Sequence, residues 1–194
     1  MAVQWAEFVN RVRKQLETGD DMYRYHGQKP FDDEYALTRA VALSLRDHFS
    51  QSFGVPADSR QIHHHVVYRD GDKPEDRLAW KAAKPYKWVV VQGLRFVPDV
   101  LVRRTLDSAD NVLPIEVKLV KGRACSQSIA TAIGQCLAYG VQYPQSILFV
   151  GVKHGAMHGK SGLATLTAQT REDKALRRTL ADKGISVIFR DVDV

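Results

Sequence analysis

Two short apolar segments carry charges where a strand ought to be buried. Val97-Pro98-Asp99-Val100-Leu101-Val102 and Leu113-Pro114-Ile115-Glu116-Val117-Lys118-Leu119-Val120 are separated by Asp107-Ser108-Ala109-Asp110-Asn111, a run of turn-forming residues. The pattern predicts an antiparallel hairpin of Arg95–Arg104 with Val112–Val120. A turn centred near Asp107 or Ser108 sets residues whose numbers add to about 215 or 216 opposite one another, so Asp99 faces Glu116 or Val117. Alternation puts Glu116 and Lys118 on one face and Ile115, Val117 and Leu119 on the other. A buried carboxylate without a partner is costly, so these acids need cations, hydrogen bonds or a metal. Two hard oxygen ligands beside a lysine suit Mg²⁺, which commonly binds one or two carboxylates and keeps several waters.

The flanking periodicities set the fold class. Val3, Phe8, Val12 and Leu16 share a helical face, and Gly19–Pro30 reads as a loop. Phe31–Phe49 reads as a stronger helix with Leu37, Val41, Leu45 and Phe49 in one stripe, Asp32 and Asp33 in its first turn, and Gly54 and Pro56 ending it. Ile62–Tyr68 and Lys87–Gln92 read as strands around a charged loop, Arg69–Arg77. After the hairpin, Ser126–Tyr139 reads as a helix with Ile129, Ile133 and Leu137 at helical spacing, and Ile147–Val152 as a buried strand. A glycine-rich loop, a charged helix from about Thr167 to Lys183 and a strand over Ile185–Arg190 follow. The order α-α-β-β-β-β-α-β-α-β predicts an α/β fold with a mixed central sheet flanked by helices. With 194 residues and no internal repeat, one domain over 1–194 is expected.

Lys and Arg exceed Asp and Glu by 28 to 22, which points to an anionic partner. Cys125 and Cys136 are the two cysteines, fewer than a disulfide scaffold needs, and fit a reducing, cytoplasmic setting. Apolar runs are too short to span a bilayer and the chain opens on no signal-peptide pattern, so no membrane partner is expected.

Pro98-Asp99, sixteen intervening residues and then Glu116-Val117-Lys118 resembles the signature of the PD-(D/E)XK nuclease superfamily, with its restriction-endonuclease-like fold. The α-β-β-β-α-β order of that core would cover about 31–152, with the N-terminal helix 3–18 and the helix-strand 167–190 as additions. Gln135-Cys136-Leu137-Ala138-Tyr139 is similar to the QxxxY motif of RecB-type nucleases, and residues i and i+4 project from one helical face. The resemblance implies a metal-dependent nuclease that hydrolyses phosphodiester bonds of nucleic acid, DNA being the expected class, through a water activated by Mg²⁺, with Mn²⁺ able to substitute. Asp99, Glu116 and the Val117 carbonyl would hold the metal, and Glu34, with Asp33 as the fallback, would complete its shell. Lys118 would orient or help deprotonate the attacking water, while Gln135 and Tyr139 position the backbone or brace the site. The products would be a 5′-phosphate and a 3′-hydroxyl.

Other readings of the same residues stand beside this one. Asp99 and Glu116 would also serve as a structural ion pair with Lys118, and Glu34 as part of a solvated helix N-terminus. A catalytically silent nucleic-acid-binding or interaction subunit of a larger assembly is the alternative function, and a homodimer or partner protein stays open. Gly155–Ser161 resembles a Walker A loop but has three residues between its glycines where that motif needs four. His63-His64-His65 alternates across a strand and so builds no single metal site; His154 and His158 flank the glycine-rich loop within reach of a phosphate. Trp80-Lys81, Lys84 and Tyr86-Lys87-Trp88 mix cations with aromatics as single-strand-binding surfaces do. Arg95, Arg103, Arg104, Lys121 and Arg123 stand near the hairpin in sequence as candidate phosphate contacts.

Overall fold

The computed structural model describes residues 4–27, 31–55, 65–69, 71, 73–83, 88–105, 111–121, 125–153 and 170–192. Its elements are α1 (Trp5–Thr18), α2 (Asp21–Arg24), α3 (Glu34–Phe53), β1 (Val66–Tyr68), α4 (Pro74–Ala82), β2 (Val89–Val91), β3 (Leu94–Phe96), β4 (Val100–Arg103), β5 (Val112–Val120), α5 (Cys125–Tyr139), β6 (Ser146–Val152), α6 (Arg171–Asp182) and β7 (Ile185–Asp191). Five strands form a mixed sheet in the order β1-β4-β5-β6-β7, and β2 and β3 form a separate two-stranded ribbon. Strand β4 runs antiparallel to both its neighbours, β1 and β5, whereas β5, β6 and β7 run parallel. The expected α/β class with a mixed sheet between helices is therefore what the chain adopts.

The predicted hairpin forms in the stricter of its two registers. Val100 pairs with Ile115 and Val102 with Leu113, so partner numbers add to 215 and Asp99 comes opposite Glu116. Strand β5 is covered on both faces, which is why it reads as a nearly continuous apolar run. Ile115 and Val117 pack into the core with α1, α2 and α3, whereas Val112 and Val120 pack into the core with α4, α5 and α6. Helix α3 begins where Asp33 caps it, the carboxylate accepting the Ala36 amide at 2.6 Å. It ends where Gly54 takes a φ of 68°, the left-handed turn a glycine adopts without strain. Its stripe of Leu37, Val41, Leu45 and Phe49 is buried as expected. At Gly151 a Cβ would lie 2.6 Å from Leu37 Cδ2, so the missing side chain lets α3 approach β6 closely.

Four expectations need correcting. The charged segment Arg69–Arg77 is not a loop throughout, because α4 starts within it at Pro74, a residue suited to the first helical turn. Arg95–Arg104 is not one strand but β3 and β4, interrupted before Asp99 at Val97-Pro98, where proline removes a ladder donor. Gly19–Pro30 contains the one-turn α2, and Asp32 precedes α3 while Asp33 caps it. On α5 the buried face runs through Ala132, Cys136 and Tyr139, with Leu137 turned outward. The glycine-rich loop with His154 and His158, the residues His63, His64, Lys84, Tyr86 and Lys87, and Arg123 lie outside the described residues. Among the described residues no helix is long and apolar enough to cross a membrane.

Candidate active site

At one end of the sheet β1 and β5 finish, β4 begins, and α3 points its N-terminus across them. The sheet ladder between β4 and β5 stops at Val100 and Ile115. Just beyond it the Val117 amide donates to Asp99 Oδ2 at 2.9 Å, so a side-chain carboxylate takes over a bond a backbone carbonyl would otherwise accept. Asp99 Oδ1 accepts from the Arg69 guanidinium at 2.5 Å, and the Asp99 carbonyl accepts the Arg69 amide at 2.8 Å. Arg69 thus holds Asp99 by both backbone and side chain.

Glu116 lies on the α5 side of β5 and is 0% exposed. Tyr139, fully buried on α5, donates its hydroxyl to Glu116 Oε2 at 2.7 Å. Lys118 Nζ stands 3.0 Å from Glu116 Oε1, an ion pair at the carboxylate oxygen that Tyr139 does not hold. The same ammonium lies 3.0 Å from Glu34 Oε1 and 3.9 Å from Asp99 Oδ2. Glu34 Oε2 accepts the Leu119 amide at 3.3 Å. Lys118 therefore bridges three carboxylates contributed by α3, the start of β4, and β5.

Electrostatics follow from this crowding. Burial, and then the neighbouring Asp99 charge, push the Glu116 carboxyl up to about 7. Burial also raises Asp99, against the lowering pull of Lys118 and Arg69. Burial works to lower Lys118, but Glu116 and then Asp99 outweigh it and lift the ammonium to about 12. With only protein groups present, Lys118 is a charged donor rather than a base. Burial, followed by the Glu116 charge, raises the Tyr139 phenol far above its ordinary value, so it remains a donor.

Five of the six expected side chains are brought together: Glu34, Asp99, Glu116, Lys118 and Tyr139. Gln135 lies one turn before Tyr139 on α5, half-buried, and makes no side-chain hydrogen bond among the described residues. Val117 meets the site through its amide N–H on Asp99. No group of three His, Cys, Asp or Glu residues among the described residues closes to metal-ligating distance. What the arrangement offers a cation is two buried carboxylates, Asp99 and Glu116, with one oxygen lacking a hydrogen bond. That donor set is all hard oxygen and fits Mg²⁺ or Mn²⁺, which complete their shells with water.

Arg69 was not anticipated. Its contact with Asp99 requires β1 to pair with β4 in the register Tyr68 to Val100, which sets residue 69 opposite residue 99. A cleft of ≈ 240 Å³ opens beside this pair, lined by Glu34, Tyr35, Thr38, Arg69 and Asp99. Among the weaker candidates, His65 is half-buried, stacks on Phe49 and contacts the Arg103 carbonyl at 2.9 Å, a structural histidine. Arg103 is buried in β4, Arg104 lies over the Phe53 ring, and Arg95 lies over the Trp88 ring. A scan against protein-family models, a search of curated proteins and a search of solved structures each found no match to this chain.

Proposed function

We propose that the protein is a metal-dependent nuclease that hydrolyses phosphodiester bonds in nucleic acid, DNA being the favoured substrate. The observation that carries this reading is the carboxylate pair Asp99, just before β4, and Glu116, on β5, with Lys118 Nζ 3.9 Å and 3.0 Å from their oxygens. A purely structural ion pair gains nothing from a second buried acid whose own proximity raises its partner's pKa. The order α3-β1-β4-β5-α5-β6, with three antiparallel strands followed by a parallel one, also supports a restriction-endonuclease-like core. In such a reading the ribbon β2–β3 and α4 are insertions between the first two core strands.

Asp99 and Glu116 would hold the metal, which when bound supplies a Lewis acid for the phosphate and lowers the pKa of a water. The protein's own contribution is to fix the ligands. Val117 and Arg69 orient Asp99, and Tyr139 orients Glu116. Lys118 is held as an ammonium that can donate to the attacking water or to a phosphate oxygen where negative charge grows. Attack by water would form a new P–O bond as the P–O3′ bond breaks; the proton the water gives up ends, through solvent, on the departing 3′-oxygen, leaving a 5′-phosphate and a 3′-hydroxyl. Glu34 keeps Lys118 in place from the α3 side.

The test is a panel of linear, circular, single-stranded and branched substrates with Mg²⁺, Mn²⁺ or EDTA. Cleavage with either metal, abolished by Asp99→Ala and by Glu116→Ala, is the expected result. Binding that persists in EDTA with no cleavage under any condition would instead assign a silent nucleic-acid-binding subunit.

A further inference from the structure

The cleft beside the carboxylates has a cation of its own. Among the described residues that line it, Glu34, Tyr35, Thr38, Arg69 and Asp99, the positive charge comes from Arg69. The volume of ≈ 240 Å³ far exceeds the roughly 10–15 Å³ that a single water occupies by such a measure. Asp99 is 3% exposed at its side chain and Arg69 is 38% exposed, so one partner of this pair is sealed and the other faces solvent. Glu34, the acid on the cleft wall, is already engaged by Lys118 at 3.0 Å.

Charge counting gives the site a defined appetite. Among the described residues three carboxylates, Glu34, Asp99 and Glu116, stand with two cations, Arg69 and Lys118, a balance of one negative charge in excess when all are ionised. A divalent cation on Asp99 and Glu116 reverses the sign to one positive charge in excess. A phosphodiester carries one negative charge and restores balance. Guanidinium groups bind phosphate through a rigid fork of N–H donors, and Arg69 donates to Asp99 Oδ1 from the rim of the cleft.

Resting on the nuclease reading, we propose that Arg69 binds the phosphodiester of the substrate. It is the counter-ion of Asp99 in the metal-free protein and turns its fork to a phosphate oxygen in the cleft once Asp99 serves a metal. Arg69 is then a substrate-contacting residue, and its backbone bond to the Asp99 carbonyl keeps its reach fixed through the exchange.

The experiment compares wild type, Arg69→Gln and Arg69→Lys, each first shown by thermal melting to be folded. A fluorescein-labelled DNA 20-mer, single-stranded and duplex, is titrated in Ca²⁺ over a range of salt, and Mg²⁺ affinity is measured by calorimetry. Loss of one phosphate contact lowers the slope of log Kd against log salt by about 0.7 to 0.9. Arg69→Gln is expected to show that drop, with DNA binding weakened about tenfold or more and Mg²⁺ binding equal or tighter. Arg69→Lys restores the slope, since the charge returns, but leaves binding weaker than wild type because the fork is gone. An unchanged slope and Kd in Arg69→Gln, with Mg²⁺ binding tightened, would make Arg69 only the counter-ion of Asp99 and overturn this inference alone. A wild type that binds neither oligonucleotide overturns the nuclease reading and this inference with it. Should Arg69→Gln fail to fold, the slope of Arg69→Lys against Thr38→Arg decides: a second cation in the cleft steepens the slope only if a phosphate occupies it.

Discussion

Tyr139 holds one oxygen of Glu116 at 2.7 Å while the other oxygen of that carboxylate accepts no hydrogen bond. The tyrosine fixes the direction of the carboxylate and turns its second oxygen toward the Lys118 ammonium, 3.0 Å away. Removing the hydroxyl with Tyr139→Phe strands a buried charged acceptor, at a cost of about 1–3 kcal/mol. Glu116 then rises further above its ordinary pKa, because the hydroxyl bond favours the ionised form. Urea unfolding should show the destabilisation, and calorimetry at neutral pH should show weaker Mg²⁺ binding. A variant unchanged in both would mean that the hydroxyl does not orient Glu116.

The pH dependence has a definite sign. Glu116 has a pKa of about 7 in the folded chain against an ordinary 4.5, so the unfolded state ionises first. Its contribution to stability is complete below pH 4.5 and disappears as pH rises through 7. Above that range the metal-free fold carries an ionised Glu116 in a buried site beside Asp99. Glu116→Gln should therefore melt higher than wild type at pH 8, and the gap should close or reverse near pH 5. Protons also compete with metal at the same carboxylate, so Mg²⁺ should bind wild type roughly tenfold more weakly at pH 6 than at pH 8. Equal melting at both pH values would show that Glu116 titrates normally.

Lys118 separates holding the metal from using it. Lys118→Met preserves the aliphatic bulk and removes the ammonium that bridges Glu34, Asp99 and Glu116. Mg²⁺ binding should be unchanged or tighter, since a competing cation is gone, while single-turnover cleavage falls by about 10²- to 10⁴-fold. Near wild-type cleavage would leave Lys118 as a counter-ion only.

A second buried ion pair serves the scaffold and provides a contrast. Asp76 on α4 accepts from Tyr68 Oη at 2.9 Å and from Arg46 at 2.8 Å, tying α4 to β1 and α3. Asp76→Ala leaves Arg46 without its carboxylate in a largely buried position and should cost about 3–5 kcal/mol in urea unfolding. A loss below about 1 kcal/mol would place this pair among weak surface contacts.

The site was readable from the chain to the extent that its contacts are local. Asp99 and Glu116 flank a run of turn-forming residues, Asp107–Asn111, and strand alternation then makes their juxtaposition a matter of counting. Tyr139 follows from helical spacing once α5 is recognised. Arg69 follows from nothing local, because β1 reaches β4 only after the chain has made α4 and the ribbon. Helix α4 was readable and missed: Pro74 at its first turn, with Glu75 and Asp76 beside it, is a helix-start pattern set in a stretch whose charge density imitates a loop. The split between β3 and β4 was marked by Pro98, and the Gln92-Gly93 turn by two residues of positive φ that no apolar periodicity reveals. The outward turn of Leu137 had no sequence signal, since the stripe Ile129, Ile133 and Leu137 and the buried face through Ala132, Cys136 and Tyr139 lie about a quarter turn apart on a helix apolar on both.

The contacts of the site also differ in how far along the chain they reach. Asp99 and Val117 are 18 residues apart, whereas Glu34 and Lys118 are 84 apart. Short loops close at small entropic cost and long ones wait for the sheet to form, so the carboxylate pair and Lys118 can meet while Glu34 is still absent from the site. During synthesis α3 leaves the ribosome long before β5 exists, and Glu34 has nothing to hold until β5 has been made and docked. A nascent or partly unfolded chain thus carries the acids without the geometry that aligns them. Whatever chemistry the site performs is confined by this order of assembly to finished molecules.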